Sequence, residues 1–134
     1  MTLDPLIFRR LSMKIISADE RLKQQSGVKA AIFGGWGIGK TSLLNTLDET
    51  TLCLDFEAGL LAVKDWSGDS ISVRTWEDAR DIACLIGGVN PASKAVYGQR
   101  HFETAKAKFK DCDFAKYKCI FIDSITIASK ICLA

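Results

Sequence analysis

Apolar and polar residues switch between two periods along the chain, and the switches mark short strands alternating with helices. Lys29 to Phe33 is a short apolar run ending in glycines, the pattern of a buried strand. A helix is expected from Gly39 to about Leu47. Thr51-Leu-Cys-Leu-Asp-Phe56 reads as a second strand, Ser70 to Arg74 as a third and Tyr117 to Ile122 as the last. Trp76, Ala79, Ala83 and Ile86 fall at helical spacing, and Phe102, Ala105 and Phe109 line one face of a further helix whose other faces carry lysines. Ser124 opens a final helix that runs to Ala134.

Capping signals sharpen these boundaries. Ser17-Ala-Asp-Glu20 has the form of a capping box, in which hydroxyl and carboxylate each satisfy a free backbone N–H. It should open a helix to about Gln25 that Ser26-Gly27 stops. Thr75-Trp-Glu-Asp78 repeats the opening pattern, and Gly87-Gly88 closes the helix that it opens. Asn90 to Gly98 reads as a loop. Strands alternating with helices predict an α/β sandwich of three layers around a mainly parallel sheet. The 134 residues suit one domain, divided into an N-terminal helical segment (1–27) and a core (28–134).

Composition changes this picture little. The chain is 48% hydrophobic and 25% charged, which excludes a disordered or fibrous chain. A net charge of +2 does not by itself imply a nucleic-acid partner. No apolar run approaches the roughly 20 residues that cross a bilayer, and Met1 to Arg10 lacks the basic-then-apolar order of a signal peptide. The expectation is a cytoplasmic protein with no membrane partner. Cys53, Cys84, Cys112, Cys119 and Cys132 form no pair with zinc or redox spacing, and they read as reduced, buried small hydrophobes.

The chemistry concentrates in Gly34-Gly35-Trp36-Gly37-Ile38-Gly39-Lys40-Thr41-Ser42, which satisfies G-x-x-x-x-G-K-[ST]. Glycines let several backbone N–H groups converge on one phosphate, and the positive end of the following helix points to the same place. Lys40 brings a mobile charge to the β- and γ-phosphates, and Thr41 offers its hydroxyl to Mg²⁺. Gly34 to Ser42 are the expected contacts for ATP. The bulk of Trp36 suits either a cover over the nucleotide or an anchor on a neighbour.

Such a loop needs an acid to hold the magnesium shell. Lys118-Cys-Ile-Phe-Ile-Asp123 is an apolar run ending in aspartate, which makes Asp123 the candidate; a helix cap is its bland alternative, a part Ser124 also suits. Glu57 follows the second strand, at the sheet edge where open α/β folds bind ligands, and there a carboxylate can orient and deprotonate water. Asp55 faces the same way two residues earlier. Glu57 and Lys40 are the catalytic candidates, and Thr41 and Asp123 the metal candidates.

With these residues placed, the chain resembles a RecA-like P-loop ATPase, and more narrowly the AAA-domain ATP-binding proteins of phages and prophages linked to single-strand annealing and recombination. The resemblance rests on Ile32–Thr41, Thr51–Gly59, Val73–Arg80 and Cys119–Thr126. It implies ATP and Mg²⁺ as cofactors, ATP hydrolysis coupled to action on single-stranded DNA, water activation by Glu57, and a homo-oligomer. RecA-like sheets continue past the strand that ends in the metal-shell acid with one more strand, inserted beside the P-loop strand. This chain ends soon after Asp123, so the expectation is an incomplete C-terminus and a gap in the sheet.

Lys94, Arg100, Lys106, Lys108, Lys110, Lys116 and Lys118 make the later part basic, interrupted by Glu103, Asp111 and Asp113. A solvated helix face accounts for them, with a DNA-facing groove as the alternative. His101, the single histidine, reads as a surface residue, and Trp66 and Trp76 as anchors. Two other functions fit the loop: a P-loop kinase for a small molecule, or a nucleotide-binding interaction module or truncated remnant that does not hydrolyse. A GTPase would need Asn-Lys-x-Asp, which the chain does not contain.

Overall fold

The computed structural model describes residues 15–23 and 27–134, in two compact units divided between Phe33 and Gly34. In the first unit, helix α1 (Ala18–Lys23) starts at the expected capping box. The Ser17 amide donates to the Glu20 carboxylate at 3.3 Å, and the Glu20 amide donates to the Ser17 hydroxyl at 3.2 Å. The expected stop at residues 24–26 lies outside the described residues.

The second unit is built on three parallel strands in the order β2-β1-β3: β1 (Thr51–Asp55), β2 (Asp69–Ser72) and β3 (Cys119–Asp123). β1 is central, and every one of its residues is buried. Its apolar centre, Leu52-Cys53-Leu54, suits a strand covered on both faces. Its register sets Cys53 beside Phe121 and Asp55 beside Asp123. Leu52, Leu54 and Phe56 point to one face, where they form a core with Val73 and Ile82. Helix α2 (Trp76–Gly87) and helix α4 (Ile125–Leu133) cover this face through Ala79 and Ile82 and through Ile127, Ala128 and Ile131. Cys53 and Phe121 point to the other face, against Leu44 and Val63. Helix α3 (Gln99–Lys108) lies against α2 and buries Ala105.

Thr75 caps α2 by accepting from the Asp78 amide at 3.1 Å, and Gly88, at φ 78°, ends it. The buried face of α2 differs from the one read from spacing. Ile82 and Cys84 are the buried residues, while Trp76, Ala83 and Ile86 are exposed. Of the four apolar residues at helical spacing, Ala79 packs on the core, and the sheet meets the helix along the line that Ala79 shares with Ile82.

Two expectations next to the glycine-rich loop are corrected. Residues 27–35 form no strand, and Ile32 and Phe33 are exposed. An apolar run becomes a strand only where a neighbour satisfies its backbone groups. The segment after the loop is a 3₁₀ helix, Thr41–Thr46, where a longer helix from Gly39 was expected. Leu44 alone of this segment is buried. A tight single-faced turn is what one anchoring side chain supports.

The cysteine expectation holds only in part. All five are free, with Cys53 and Cys84 buried and Cys119 half-buried, whereas Cys112 and Cys132 are exposed. No helix among the described residues is long and apolar enough to cross a membrane.

Candidate nucleotide site

The glycine-rich loop, residues 34–41, leads directly into the 3₁₀ helix. Gly37 and Gly39 have φ of 78° and 89°, in the left-handed region that glycine enters without a Cβ clash. The Lys40 ammonium folds back over the loop and donates to the carbonyls of Gly34 at 3.0 Å and Gly35 at 2.8 Å. The lysine therefore lies against the backbone of the first two glycines of the loop. Trp36 is 99% exposed, so it anchors on nothing among the described residues. Ile38 and Ser42 are also exposed.

Thr41 connects this loop to the sheet. Its Oγ1 donates to Asp123 Oδ2 at 2.7 Å, across 82 positions of sequence. Asp123 ends β3 and is 5% exposed. Its side chain points to the Leu44 face because its register partner Asp55 lies two residues past Cys53, which points there too. Buried carboxylates are costly unless bonded, and the Thr41 hydroxyl bonds this one. A threonine hydroxyl beside a carboxylate is a hard oxygen donor pair of the kind magnesium takes, with waters and phosphate completing the shell. The residues present thus fit a magnesium ion, with Thr41 and Asp123 as its protein neighbours.

Glu57 is exposed, two residues beyond β1, at the same end of the sheet. It accepts a hydrogen bond from the hydroxyl of Ser124, the residue after Asp123. Ser124 is the N-cap residue of α4, but its hydroxyl is turned to Glu57 and caps nothing. The sequence showed no sign of this contact, which joins residues 67 apart.

Asp55, which the sequence placed behind Glu57, is 4% exposed and organises the turn that carries it. Its Oδ1 accepts from the amides of Ala58 at 2.8 Å and Glu57 at 3.2 Å. Its Oδ2 lies 3.6 Å from the Arg74 guanidinium, which also donates to the Asp55 carbonyl at 2.8 Å. The turn puts Ala58 at φ 59°, a conformation that costs a residue with a Cβ roughly 1–2 kcal/mol. An aspartate two residues before a turn amide is a recognisable turn former, and this signal was legible in Asp55-Phe-Glu-Ala-Gly59. Behind the two aspartates, the buried Cys53 thiol is pushed up to about 12 by desolvation first and then by the charges of Asp123 and Asp55.

The structure thus brings Lys40, Thr41, Asp123 and Glu57 to one end of the sheet, and adds Asp55 and Ser124. His101, expected at the surface, is instead half-buried against Asp81. Among the basic residues, Lys108 is paired with Asp78 and Asp81, and Lys116 with Asp69.

A parallel α/β sheet with a glycine-rich loop beside a strand-end aspartate defines the class of P-loop nucleotide-binding proteins. A family model described as an AAA domain matches residues 26–134, and the chain belongs to that family. Domains of this type generally bind ATP with Mg²⁺. No curated protein and no solved structure shows a significant match to the chain.

Proposed function

We propose that this chain is the Mg-ATP-binding core, residues 28–134, of an ATPase that acts on DNA in phage or prophage recombination or replication. The observation that carries the nucleotide reading is the hydrogen bond from the Thr41 hydroxyl to Asp123. It joins the loop that would hold phosphates to the acid that would hold the metal shell. In this reading the amides of Gly34 to Thr41 bind the phosphates, with Trp36 and Ser42 at the rim. Lys40 moves from the loop carbonyls to the β- and γ-phosphates and neutralises charge that develops in transfer. Thr41 and Asp123 would hold a magnesium ion, which would supply neutralisation of the phosphate charge. Glu57 is the general base, and the Ser124 hydroxyl holds its carboxylate toward the Asp123 side.

The DNA role is supported by the Leu54–Gly59 and Arg74–Arg80 stretches, and it brings single-stranded DNA and further copies of the chain as partners. The test is a thermal-shift titration with Mg-ATP of this chain and of Lys40→Ala. A ligand that binds only the folded state adds about 2.7 kcal/mol at a hundred-fold excess over Kd. A stabilisation that disappears in Lys40→Ala supports the site, and equal curves for the two chains would refute it. Phosphate release that rises with single-stranded DNA and falls in Glu57→Gln separates an ATPase from a kinase, which would label a small acceptor.

A further inference from the structure

Away from the P-loop, a pocket of about 450 Å³ opens between α2, the loop 88–98 and α3. It is lined by Arg80, Lys94, Arg100, His101 and Thr104 beside Ala95 and Val96, and no carboxylate lines it. We propose that this pocket binds a phosphate-bearing anion at a site separate from the P-loop.

The positive charge of the lining is uncompensated. Arg80, Lys94 and Arg100 have no ion-pair partner among the described residues. The nearby acids are already engaged: Lys108 donates to Asp78 at 2.6 Å and to Asp81 at 2.9 Å. The Tyr97 amide donates to His101 Nδ1 at 2.8 Å, so Nε2 carries the proton and donates to Asp81 at 2.8 Å. That bond ties α3 to α2 and fixes the imidazole as one wall.

The Arg80 Nε is enclosed and has no acceptor. Buried donors in native proteins are nearly always satisfied, and an orphan calls for an explanation. Partial desolvation of the guanidinium strengthens its attraction for an anion in the pocket. The loop itself is ordered by its own bonds. Asn90 accepts from the Ala92 amide through its side chain at 3.0 Å, and its amide donates to the Tyr97 carbonyl at 2.8 Å. At Gly98 a Cβ would come within 2.6 Å of the Ser93 carbonyl oxygen, so only glycine lets the loop close there. Two arginines and a lysine around one open depression suit phosphate, which takes forked guanidinium donors from several sides. The phosphate could belong to a free nucleotide or pyrophosphate, or to a nucleic-acid backbone.

The test is calorimetric titration of the Lys40→Ala chain, whose P-loop is disabled, at low salt. One arm uses pyrophosphate and the other a short oligothymidylate. Arg80→Gln with Arg100→Gln should weaken binding about ten-fold or more, the loss of charge-assisted bonds. Lys106→Gln with Lys110→Gln removes the same charge from the exposed lysines nearby and should leave affinity within two-fold, about 0.4 kcal/mol. Lys94→Gln, at an exposed loop position, reads the same pocket if the arginine double variant does not fold. Binding of pyrophosphate identifies a free phosphate ligand, and binding of the oligonucleotide alone identifies a backbone. No binding of either probe, or equal losses in the two double variants, would overturn the proposal.

Discussion

Replacing Asp55 with alanine removes one buried carboxylate and the bonds it makes to a turn and to Arg74, which makes it the sharpest test of how the site end of the sheet is built. The side chain holds the amides of Ala58 and Glu57 and faces Arg74. Hydrogen bonds to a charged group contribute about 1.5–3 kcal/mol each, but Glu57 and Ala58 are exposed and water can replace part of what is lost. The Arg74 guanidinium is 47% exposed, so its pair with Asp55 contributes under about 1 kcal/mol. Asp55→Ala should therefore cost roughly 2–3 kcal/mol, a large share of the roughly 5–15 kcal/mol typical of a domain. Asp55→Asn keeps an acceptor for the two amides and should cost about 1 kcal/mol. Urea titration at pH 7 measures both. A loss below about 0.5 kcal/mol in Asp55→Ala would refute the role of the turn bonds. Equal losses in the alanine and asparagine variants would assign the effect to charge against Arg74. Because Ala58 is held at positive φ, loss of the turn should also release Glu57, and if Glu57 is the base proposed above, ATP hydrolysis should fall in the alanine variant more than in the asparagine one.

The geometry sets three further expectations. Thr75→Ala removes the cap that accepts from the Asp78 amide and should destabilise the protein by about 1 kcal/mol in a urea melt. A thiol reagent at pH 8 should label the exposed Cys112 and Cys132 in the folded protein, and should reach Cys53 and Cys84 only on unfolding, as mass spectrometry of peptides would show; for Cys53, a thiol pushed up to about 12 adds to burial in suppressing the thiolate. Lys108 holds the Asp78 carboxyl below its ordinary range, and at Asp81 burial pushes upward but the bonds from His101 and Lys108 outweigh it. Lowered carboxyl groups contribute stability above their unfolded value near pH 4, and that contribution is lost as pH falls through the folded values. Stability should therefore drop on acidification below about pH 4, and the drop should be shallower in Lys108→Met.

What could be read from the sequence alone was whatever depends on neighbours a few residues away. Gly34 to Thr41 carries its own geometry, since glycine at positions 37 and 39 admits the positive φ that the loop adopts. The caps at Ser17 and Thr75 were legible because the bonding atoms lie three residues apart. The run Thr51 to Phe56 announced a strand, and its end marked the acids Asp55 and Glu57. The tertiary structure decided which residues of α2 meet the sheet: Ala79 packs with Ile82 on Leu52 and Leu54, whereas Trp76, Ala83 and Ile86, read at the same helical spacing as Ala79, stay exposed. It likewise decided that Lys29 to Phe33 forms no strand, since apolar composition alone does not make a ladder. It turned Ser124 to Glu57 and His101 to Asp81, contacts that depend on strand order and helix packing over tens of residues. Local bonding is written in spacing, whereas the meeting of Thr41 with Asp123 depends on a register that the whole sheet must form before either residue has a partner.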